Sequence, residues 1–237
     1  MGVAAVPRWD AQTPDADRAP DPDALYRRRD QRGDAERAAA IWRARASQNP
    51  HDFEAIWKLA RACYWLGAHA EPDARRAWLE TGITAGRQGS QVRPDRPDAF
   101  FWMAANMGAL AESFGVRAGL RYRRPIKDAL ERVLAIDPAY LGGSADRALG
   151  RWYLEVPAVF GGSKAASEAH LRRSLTYNPV STASLYFLAE TLVARDKDEE
   201  AIATLRAVLA APLDPEWAPE GREFKDKARR LLAERRR

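Results

Sequence analysis

The chain has 237 residues, of which 46% are hydrophobic and 30% charged, with a formal net charge of +5. Its mean hydropathy is −0.50, and no apolar run is long enough to cross a bilayer, so we expect no transmembrane segment. The single cysteine, Cys63, excludes a framework of internal disulfides.

Residues 1–22 are rich in Asp, Pro and Ala and have little periodicity. Such a composition buries too little apolar surface to offset the entropy of ordering, so we expect this segment to be disordered. The opening residues are too short for an export signal and lack its basic region. Two interpretations stay open: a cytoplasmic start, or the tail of a longer export signal that begins upstream of Met1.

Amphipathic segments in this chain repeatedly end at proline. Asn49-Pro50, Asp137-Pro138 and Asn178-Pro179 are the clearest ends, and Pro97 and Pro212 close two less regular units. The distance from Pro179 to Pro212 is close to the ~34 residues of a tetratricopeptide repeat, and the other intervals require inserted loops. Repetition at this scale predicts a helical solenoid, in which each unit buries its apolar face against its neighbours.

The unit after Pro179 has the side chains of a helical hairpin. Leu188-Ala189 is the large-then-small pair that lets two helices approach closely, and Ala201 and Leu205 lie on one face of the second helix. Asp198 is placed to cap that second helix. The sequence therefore predicts an all-α, tetratricopeptide-like α-solenoid of stacked antiparallel hairpins.

The expected domain organisation follows from these ends. About four to five hairpins occupy residues 23–212. Residues 213–237 form a charged amphipathic helix with Phe224, Ala228, Leu231 and Leu232 on one side. A terminal helix with a polar outer face covers the last apolar surface of an open-ended stack, so we interpret it as a cap of the same domain.

Catalytic and metal-binding patterns are missing from the sequence. His51, His69 and His170 lie far apart and form no His-Glu-x-x-His motif, and a Cys-x-x-Cys pair is absent. Cys63 occupies a core position without an activating base. We therefore expect a protein that is not an enzyme and that uses no metal or cofactor.

Two Gly-Gly-Ser turns resemble phosphate loops only superficially. Gly142-Gly143-Ser144 and Gly161-Gly162-Ser163 lack the Gly-x-x-x-x-Gly-Lys spacing, and no strand precedes them. Glycine supplies unusual backbone angles and serine an N-cap, which explains both turns without a ligand.

One basic cluster raises the question of nucleic acid. Arg117, Arg121, Arg123, Arg124 and Lys127 surround Tyr122. Basic residues with an interleaved aromatic can bind phosphates and stack on bases, but no nucleic-acid motif surrounds them. A solvated linker between helices is the favoured interpretation, and nucleic-acid binding through residues 117–127 stays as the remote alternative.

The inner wall of the solenoid is the expected binding surface. In tetratricopeptide geometry the first helix of each hairpin lines the concave groove, and the template assigns ten residues to it. The register of the second unit is uncertain by about one residue. The predicted groove residues are Trp57, Arg61, Tyr64, Trp65, Trp102, Asn106, Arg147, Arg151, Tyr186 and Glu190.

Aromatic side chains together with arginines suit a carboxylate-bearing peptide, a protein tail or an apolar acid. The alternative is that the aromatics only fill the packing between repeats.

Several segments together resemble a known family. Trp102-Met103-Ala104-Ala105-Asn106-Met107-Gly108, residues 126–138, Gly142-Gly143 with Arg147-Ala148-Leu149-Gly150, and Pro157 with Gly161-Gly162 resemble the T component of tripartite ATP-independent periplasmic (TRAP) transporters over residues 52–212. The resemblance implies an all-helical periplasmic lipoprotein that forms a trimer and associates with the transporter's solute-binding protein. The sequence departs from it in having neither an export signal nor a lipid-acceptor cysteine, since Cys63 lies within a repeat.

Two functional hypotheses follow. The leading one is a non-enzymatic interaction module that binds a partner protein or peptide in its concave groove. The alternative is a carrier of a small organic acid or apolar molecule, linked to transport, with Trp102, Asn106, Arg147 and Arg151 around the ligand.

Overall fold

The computed structural model describes residues 20–31 and 33–235, without the side chains of Val116 and Arg117. The expected disordered segment thus lies almost entirely outside the described residues. The described part contains eleven α-helices and no strands. They are α1 (Pro22–Arg27), α2 (Asp34–Gln48), α3 (Phe53–His69), α4 (Pro72–Val92), α5 (Pro97–Ser113), α6 (Gly115–Ile136), α7 (Tyr140–Glu155), α8 (Lys164–Tyr177), α9 (Thr182–Ala194), α10 (Asp198–Ala210) and α11 (Ala218–Glu234).

Local sequence signals set many of the helix starts. The Asp52 side chain accepts from the amide of Ala55 at 3.0 Å, and Ser181 caps α9 in the same way at 3.3 Å. Proline occupies the first turn of α1, α4, α5 and α11, where its missing N–H costs nothing. The prediction that Asp198 caps its helix is wrong: α10 begins at Asp198, and the cap residue is Lys197, whose side chain makes no capping bond.

The helices stack as antiparallel pairs, which confirms the predicted fold class. Each helix packs against the next along the chain, and the first helices of successive hairpins meet as α3 with α5, α5 with α7 and α7 with α9. Small residues at the contacts let the helices approach: Ala60 and Ala189 are fully buried. Cys63 is also fully buried in this core, and burial raises the pKa of its thiol to about 12.

Helix α7 begins with a left-handed kink. Leu141, Gly142 and Gly143 have φ values of 46°, 63° and 76°. A Cβ on Gly143 would lie 2.8 Å from the Tyr177 ring and 3.0 Å from backbone atoms of Ser174, so glycine is required there. Ser163 caps α8 as predicted, but Ser144 does not act as a cap, because its hydroxyl instead donates to the carbonyl oxygen of Tyr140 at 2.9 Å.

The basic cluster of residues 117–127 is helical. The prediction of a linker is wrong, because these residues form the first half of α6, with Pro125 inside the helix. The side chain of Arg117 lies outside the described residues. Tyr122 is buried, and Arg123 packs its guanidinium 4.9 Å from the centre of the Phe160 ring.

The last helix covers the end of the stack. Ala228 and Leu232 of α11 are buried in one cluster with Tyr186, Leu205 and Val208, and α11 packs on both α9 and α10. This arrangement is the predicted C-terminal cap. Among the described helices, none is both long and apolar enough to cross a membrane.

Candidate functional site

A cavity of about 1190 Å³ lies on the inner side of the stack. Helices α5, α6 and α7 form its main walls, α9 contributes Phe187, and the segment around the start of α11 closes one side. Most of the lining is apolar, which is typical of a ligand pocket. Its large apolar members include Phe101, Trp102, Leu120, Ile126, Leu130, Leu141, Trp152, Phe160, Phe187, Leu213, Trp217 and Phe224.

Arg147 brings a positive charge into this mostly apolar cavity, whose lining also includes the charged residues Glu112, Arg123, Arg151, Glu155, Asp214, Glu220 and Lys227. It projects from α7, is half-buried, and has no hydrogen-bond or ion-pair partner among the described residues. Burial lowers the pKa of its guanidinium below the ordinary value, and the neighbouring Tyr64 opposes that shift. A partly desolvated cation without a partner carries some cost, so an anion that entered the cavity would be favourably placed to pair with it.

Arg151, one turn further along α7, already has carboxylate partners. Its guanidinium lies 2.8 Å from Glu190, 3.1 Å from Glu155 and 3.3 Å from Glu112. The hydroxyl of Tyr186 donates to the other oxygen of Glu190 at 3.0 Å. The structure therefore joins the predicted residues Arg151, Glu190 and Tyr186 in one network at the cavity edge.

The ten predicted groove residues do not all face the cavity. Tyr64, Trp102, Arg147 and Arg151 line it. Burial raises the pKa of the Tyr64 phenol to about 12, so this residue is neutral there at physiological pH. Trp57, Arg61, Trp65, Asn106, Tyr186 and Glu190 are not among the lining residues.

Two of these residues, Asn106 and Trp65, were predicted in the groove but lie in the core. Asn106 is fully buried and donates to the backbone carbonyl oxygens of Ala60 and Trp102. Trp65 is 6% exposed and donates its indole N–H to the carbonyl oxygen of Arg29 at 2.9 Å. Both side chains donate to backbone carbonyl oxygens in the core and do not face the cavity.

Arg61 and Trp57 lie beside each other on the first hairpins. The Arg61 guanidinium is 5.0 Å from the centre of the Trp57 ring and 3.7 Å from Glu216, near the start of α11. This contact belongs to a feature that the sequence did not reveal. Residues 212–223, here called the clasp, run from the last hairpin back to the first ones.

Trp217 and Glu220 are the central residues of the clasp. The Trp217 ring stacks on Trp102 with centroids 6.2 Å apart and planes at 23°. Glu220 accepts a two-point hydrogen bond from Arg29, whose side chain is 1% exposed. The signal in the sequence is the set of acidic residues around Trp217, which by itself predicts part of a cap and no contact with the first hairpins.

Two of the three histidines, His69 and His170, contact acidic side chains. His69 is the last residue of α3, and its Nε2 lies 2.7 Å from Glu223 of the clasp. His170 Nδ1 lies 2.6 Å from the buried Asp146. Within the described ranges, no group of three or more candidate ligands could hold a metal ion.

Comparison with solved structures supports the fold. The structure is similar to TTC0263, a thermophilic TPR protein in Thermus thermophilus, with 18% identity, a TM-score of 0.67, and 90% of this chain and 97% of that chain covered. It is also similar to residues 41-end of MamA from Desulfovibrio magneticus RS-1, with 18% identity, a TM-score of 0.52, and 81% and 96% covered. These likenesses support the tetratricopeptide-like fold and do not show the resemblance to the TRAP T component.

Comparison with sequences adds the family. No curated protein sequence matches the chain at a significant level. The family model for regulator of microtubule dynamics protein 1-3 matches residues 22–160, which is more than half of the chain and runs from α1 to the turn after α7. The chain therefore belongs to the regulator of microtubule dynamics protein 1-3 family.

Proposed function

We propose that this chain is a non-enzymatic interaction protein whose cavity receives a carboxylate-bearing apolar group from a partner protein. The observation that carries the proposal is the guanidinium of Arg147, which has no hydrogen-bond or ion-pair partner among the described residues and lies in a cavity whose lining is mostly apolar. Proteins of the tetratricopeptide type generally mediate protein–protein interactions through extended concave surfaces. The family description names microtubule dynamics, a process carried out by proteins, which accords with a role of this kind.

The cavity supports a ligand with one anionic end and an apolar body. A carboxylate would form a charge-assisted, two-point pair with Arg147, whereas Arg151 is already engaged by three carboxylates. Aromatic and aliphatic side chains on α5, α6 and α9 would cover the apolar part. A C-terminal peptide tail with apolar side chains has this chemistry.

Within this proposal, the resemblance to the TRAP T component makes a transporter's solute-binding protein the first partner to test. It also makes a homotrimer the oligomeric state to test. The groove proposed from the sequence extends beyond the cavity to Trp57 and Arg61. Of these two, Trp57 would contact a longer partner segment that continues along the first hairpins, whereas Arg61 is buried and already lies 3.7 Å from Glu216.

A free organic acid with an apolar body is a second candidate ligand. The observation that favours it is the clasp, since Pro212, Leu213, Trp217 and Gly221 close one side of the cavity. A small molecule would fit behind such a closure more readily than a long chain. Native mass spectrometry of freshly purified protein tests this candidate, because a carrier retains a small molecule that an interaction module lacks.

The main test uses apolar peptides with either a free or an amidated C-terminus, titrated against the full chain with tryptophan fluorescence as the readout. We expect amidation to weaken binding by about tenfold or more, because it removes the charge that pairs with Arg147. Arg147→Gln should weaken binding of the free-acid peptide to the same extent and should not change binding of the amide.

The matched control is Arg206→Gln, which removes an exposed arginine of α10 outside the cavity and should change neither affinity. Equal affinity for acid and amide peptides, or an Arg147→Gln variant that binds as the wild type does, would contradict the proposal.

A further inference from the structure

The clasp occupies a second surface of the concave side, separate from the position of Arg147. This surface, here called the clasp seat, consists of Arg29, Arg61, Trp65, His69 and Trp102 from the first hairpins and the turn after α1. Only Trp102 of these also lines the cavity.

Arg29 is the centre of the seat. Its Nε donates to Glu220 Oε1 at 2.8 Å, a second nitrogen donates to Glu220 Oε2, and Nη2 also donates to the carbonyl oxygen of Glu216 at 2.7 Å. One guanidinium therefore binds both a side chain and the backbone of the clasp. A buried two-point pair of this kind gives geometric specificity as well as energy.

Aromatic contacts surround this pair. The Arg29 guanidinium lies 5.3 Å from the centre of the Trp65 ring and 5.5 Å from that of Trp217, and Trp217 stacks on Trp102. The seat itself thus offers a cation beside the Trp65 indole and a flat aromatic surface on Trp102, and the clasp supplies the second indole. Such a surface favours a tryptophan flanked by carboxylates.

Weaker ion pairs mark the rim of the seat. Arg61 lies 3.7 Å from Glu216, whose side chain is 58% exposed, and His69 lies 2.7 Å from Glu223, which is 44% exposed. The Arg61 side chain is itself buried, but the carboxylates of both pairs are exposed and such pairs contribute little to stability, so the rim guides recognition more than it holds the clasp in place.

The clasp contacts are not needed to cap the stack. Ala228 and Leu232, in the second half of α11, already cover the last hairpin. In a solenoid each repeat contacts only its neighbours, so a polar link from the last unit back to the first is an addition to the fold. The link pairs carboxylates with arginines and stacks one indole on another. Contacts of these kinds are typical of a recognition interface.

We propose that the clasp is an internal ligand of this seat, and that the seat binds in trans an acidic partner segment with the pattern Glu-Trp-x-x-Glu, as in Glu216-Trp217-Ala218-Pro219-Glu220. A covalently attached segment competes at high effective concentration, so the seat is largely occupied until a partner of matching chemistry displaces the clasp. The proposal goes beyond the cavity and its ligand, because Arg147 is not part of the seat.

The test uses a fluorescein-labelled peptide of residues 212–224 and the full chain. Wild-type protein should bind the peptide weakly. Trp217→Ala, which weakens the internal clasp and leaves the Arg29–Glu220 pair in place, should bind it about tenfold or more tightly. A control peptide in which Glu216, Glu220 and Glu223 are replaced by glutamine should not bind.

Two further arms separate the seat from the cavity. Adding Arg61→Gln to the Trp217→Ala protein should weaken peptide binding, whereas adding Arg147→Gln should not. Peptide binding that is lost with Arg147→Gln would place the peptide in the cavity and overturn the seat, while leaving the proposed function intact.

Hydrogen exchange of the unmutated chain provides a measurement that does not depend on any variant. Excess peptide should accelerate exchange of the clasp amides and leave α3 and α4 protected. No binding to a Trp217→Ala protein with native helicity, together with unchanged clasp exchange, would refute the proposal.

Discussion

The amide of Asn106 bonds to the neighbouring hairpin and to its own helix: its Nδ2 donates to the carbonyl oxygen of Ala60 at 2.9 Å and to that of Trp102, one turn earlier on α5, at 2.7 Å. Ala60 lies on α3 and Asn106 on α5, so one fully buried side chain joins the first helices of two successive hairpins. Its other polar atom, Oδ1, faces the backbone of Gly82 on α4. The contact is thus a junction of three helices.

Gly82→Ala should destabilise the protein at this junction. A Cβ on Gly82 would lie 2.2 Å from Asn106 Oδ1, and Asn106 is held by its two hydrogen bonds. We expect a loss of about 1–3 kcal/mol in the free energy of unfolding, measured by urea denaturation. Gly108→Ala on α5 is the matched control: a Cβ there meets nothing within 4 Å, so it should be neutral or stabilising by about 0.5–1 kcal/mol. A Gly82→Ala protein as stable as the control variant would show that the three helices have room at this point.

Asn106→Asp should be more damaging than its small change in shape suggests. The new carboxylate would face the two carbonyl oxygens that now accept hydrogen bonds from Nδ2. Among the described residues, no cationic side chain is bonded to this position to compensate the charge. Burying an uncompensated charge costs about 3 kcal/mol or more, and protonation at low pH should recover part of the loss. Urea denaturation at neutral and acidic pH measures both effects. A variant with wild-type stability at neutral pH would mean that water reaches this position.

The sequence predicted the fold because the signals for hairpins are local. Leu188-Ala189 and the proline ends at Pro138 and Pro179 act within one or two turns of a helix, so a template could position them. The same template also identified Arg147 and Arg151, which line the cavity.

The repeat template does not predict whether a given side chain faces the groove or the core. Asn106 occupies a groove position in the repeat, yet the close approach at Gly82 turns it into the core. The clasp was missed for a different reason: Arg29 and Glu220 are 191 residues apart in sequence, and no periodicity links them. Contacts between the two ends of a solenoid depend on its overall curvature, which is the sum of many small rotations between repeats.

Leu188→Ala should test the packing of the last hairpin. Leu188 is 4% exposed and packs with Leu171, Leu192 and Ala201. Removing its side chain should cost about 2–5 kcal/mol in the free energy of unfolding. Leu213→Ala is the control, since that side chain is 39% exposed and its loss should cost far less. A Leu188→Ala loss no greater than that of the control would contradict the hairpin register.

Ala189→Leu examines the same helix contact from the opposite direction. Ala189 is fully buried between helices, so the added volume should force them apart and cost about 1–3 kcal/mol. Thermal unfolding followed by circular dichroism measures the loss. A variant that unfolds at the wild-type temperature would show that the helices are not in close contact at Ala189.

The contact between His69 and the clasp should depend on pH. Burial opposes protonation of His69, but its hydrogen bonds to Glu223 and to the carbonyl oxygen of Trp65 outweigh that effect and raise its pKa above the ordinary value. A group whose pKa is raised by folding contributes stability that is fully present below its unfolded pKa of about 6.5 and is lost as pH rises through the folded pKa. The side chains of His69 and Glu223 are 40% and 44% exposed, so solvent screening keeps the contribution below about 1 kcal/mol.

His69→Gln should therefore destabilise the protein at about pH 5.5 and have little effect at about pH 9. Urea denaturation at the two pH values gives the comparison, and hydrogen exchange at Glu223 should report the same loosening locally. His51→Gln is the control, because His51 is exposed in the turn after Pro50 and lies far from the clasp in sequence. A destabilisation by His69→Gln that increased with pH would contradict this prediction. The hydrogen bond to Glu223 would then involve neutral imidazole and not the protonated form.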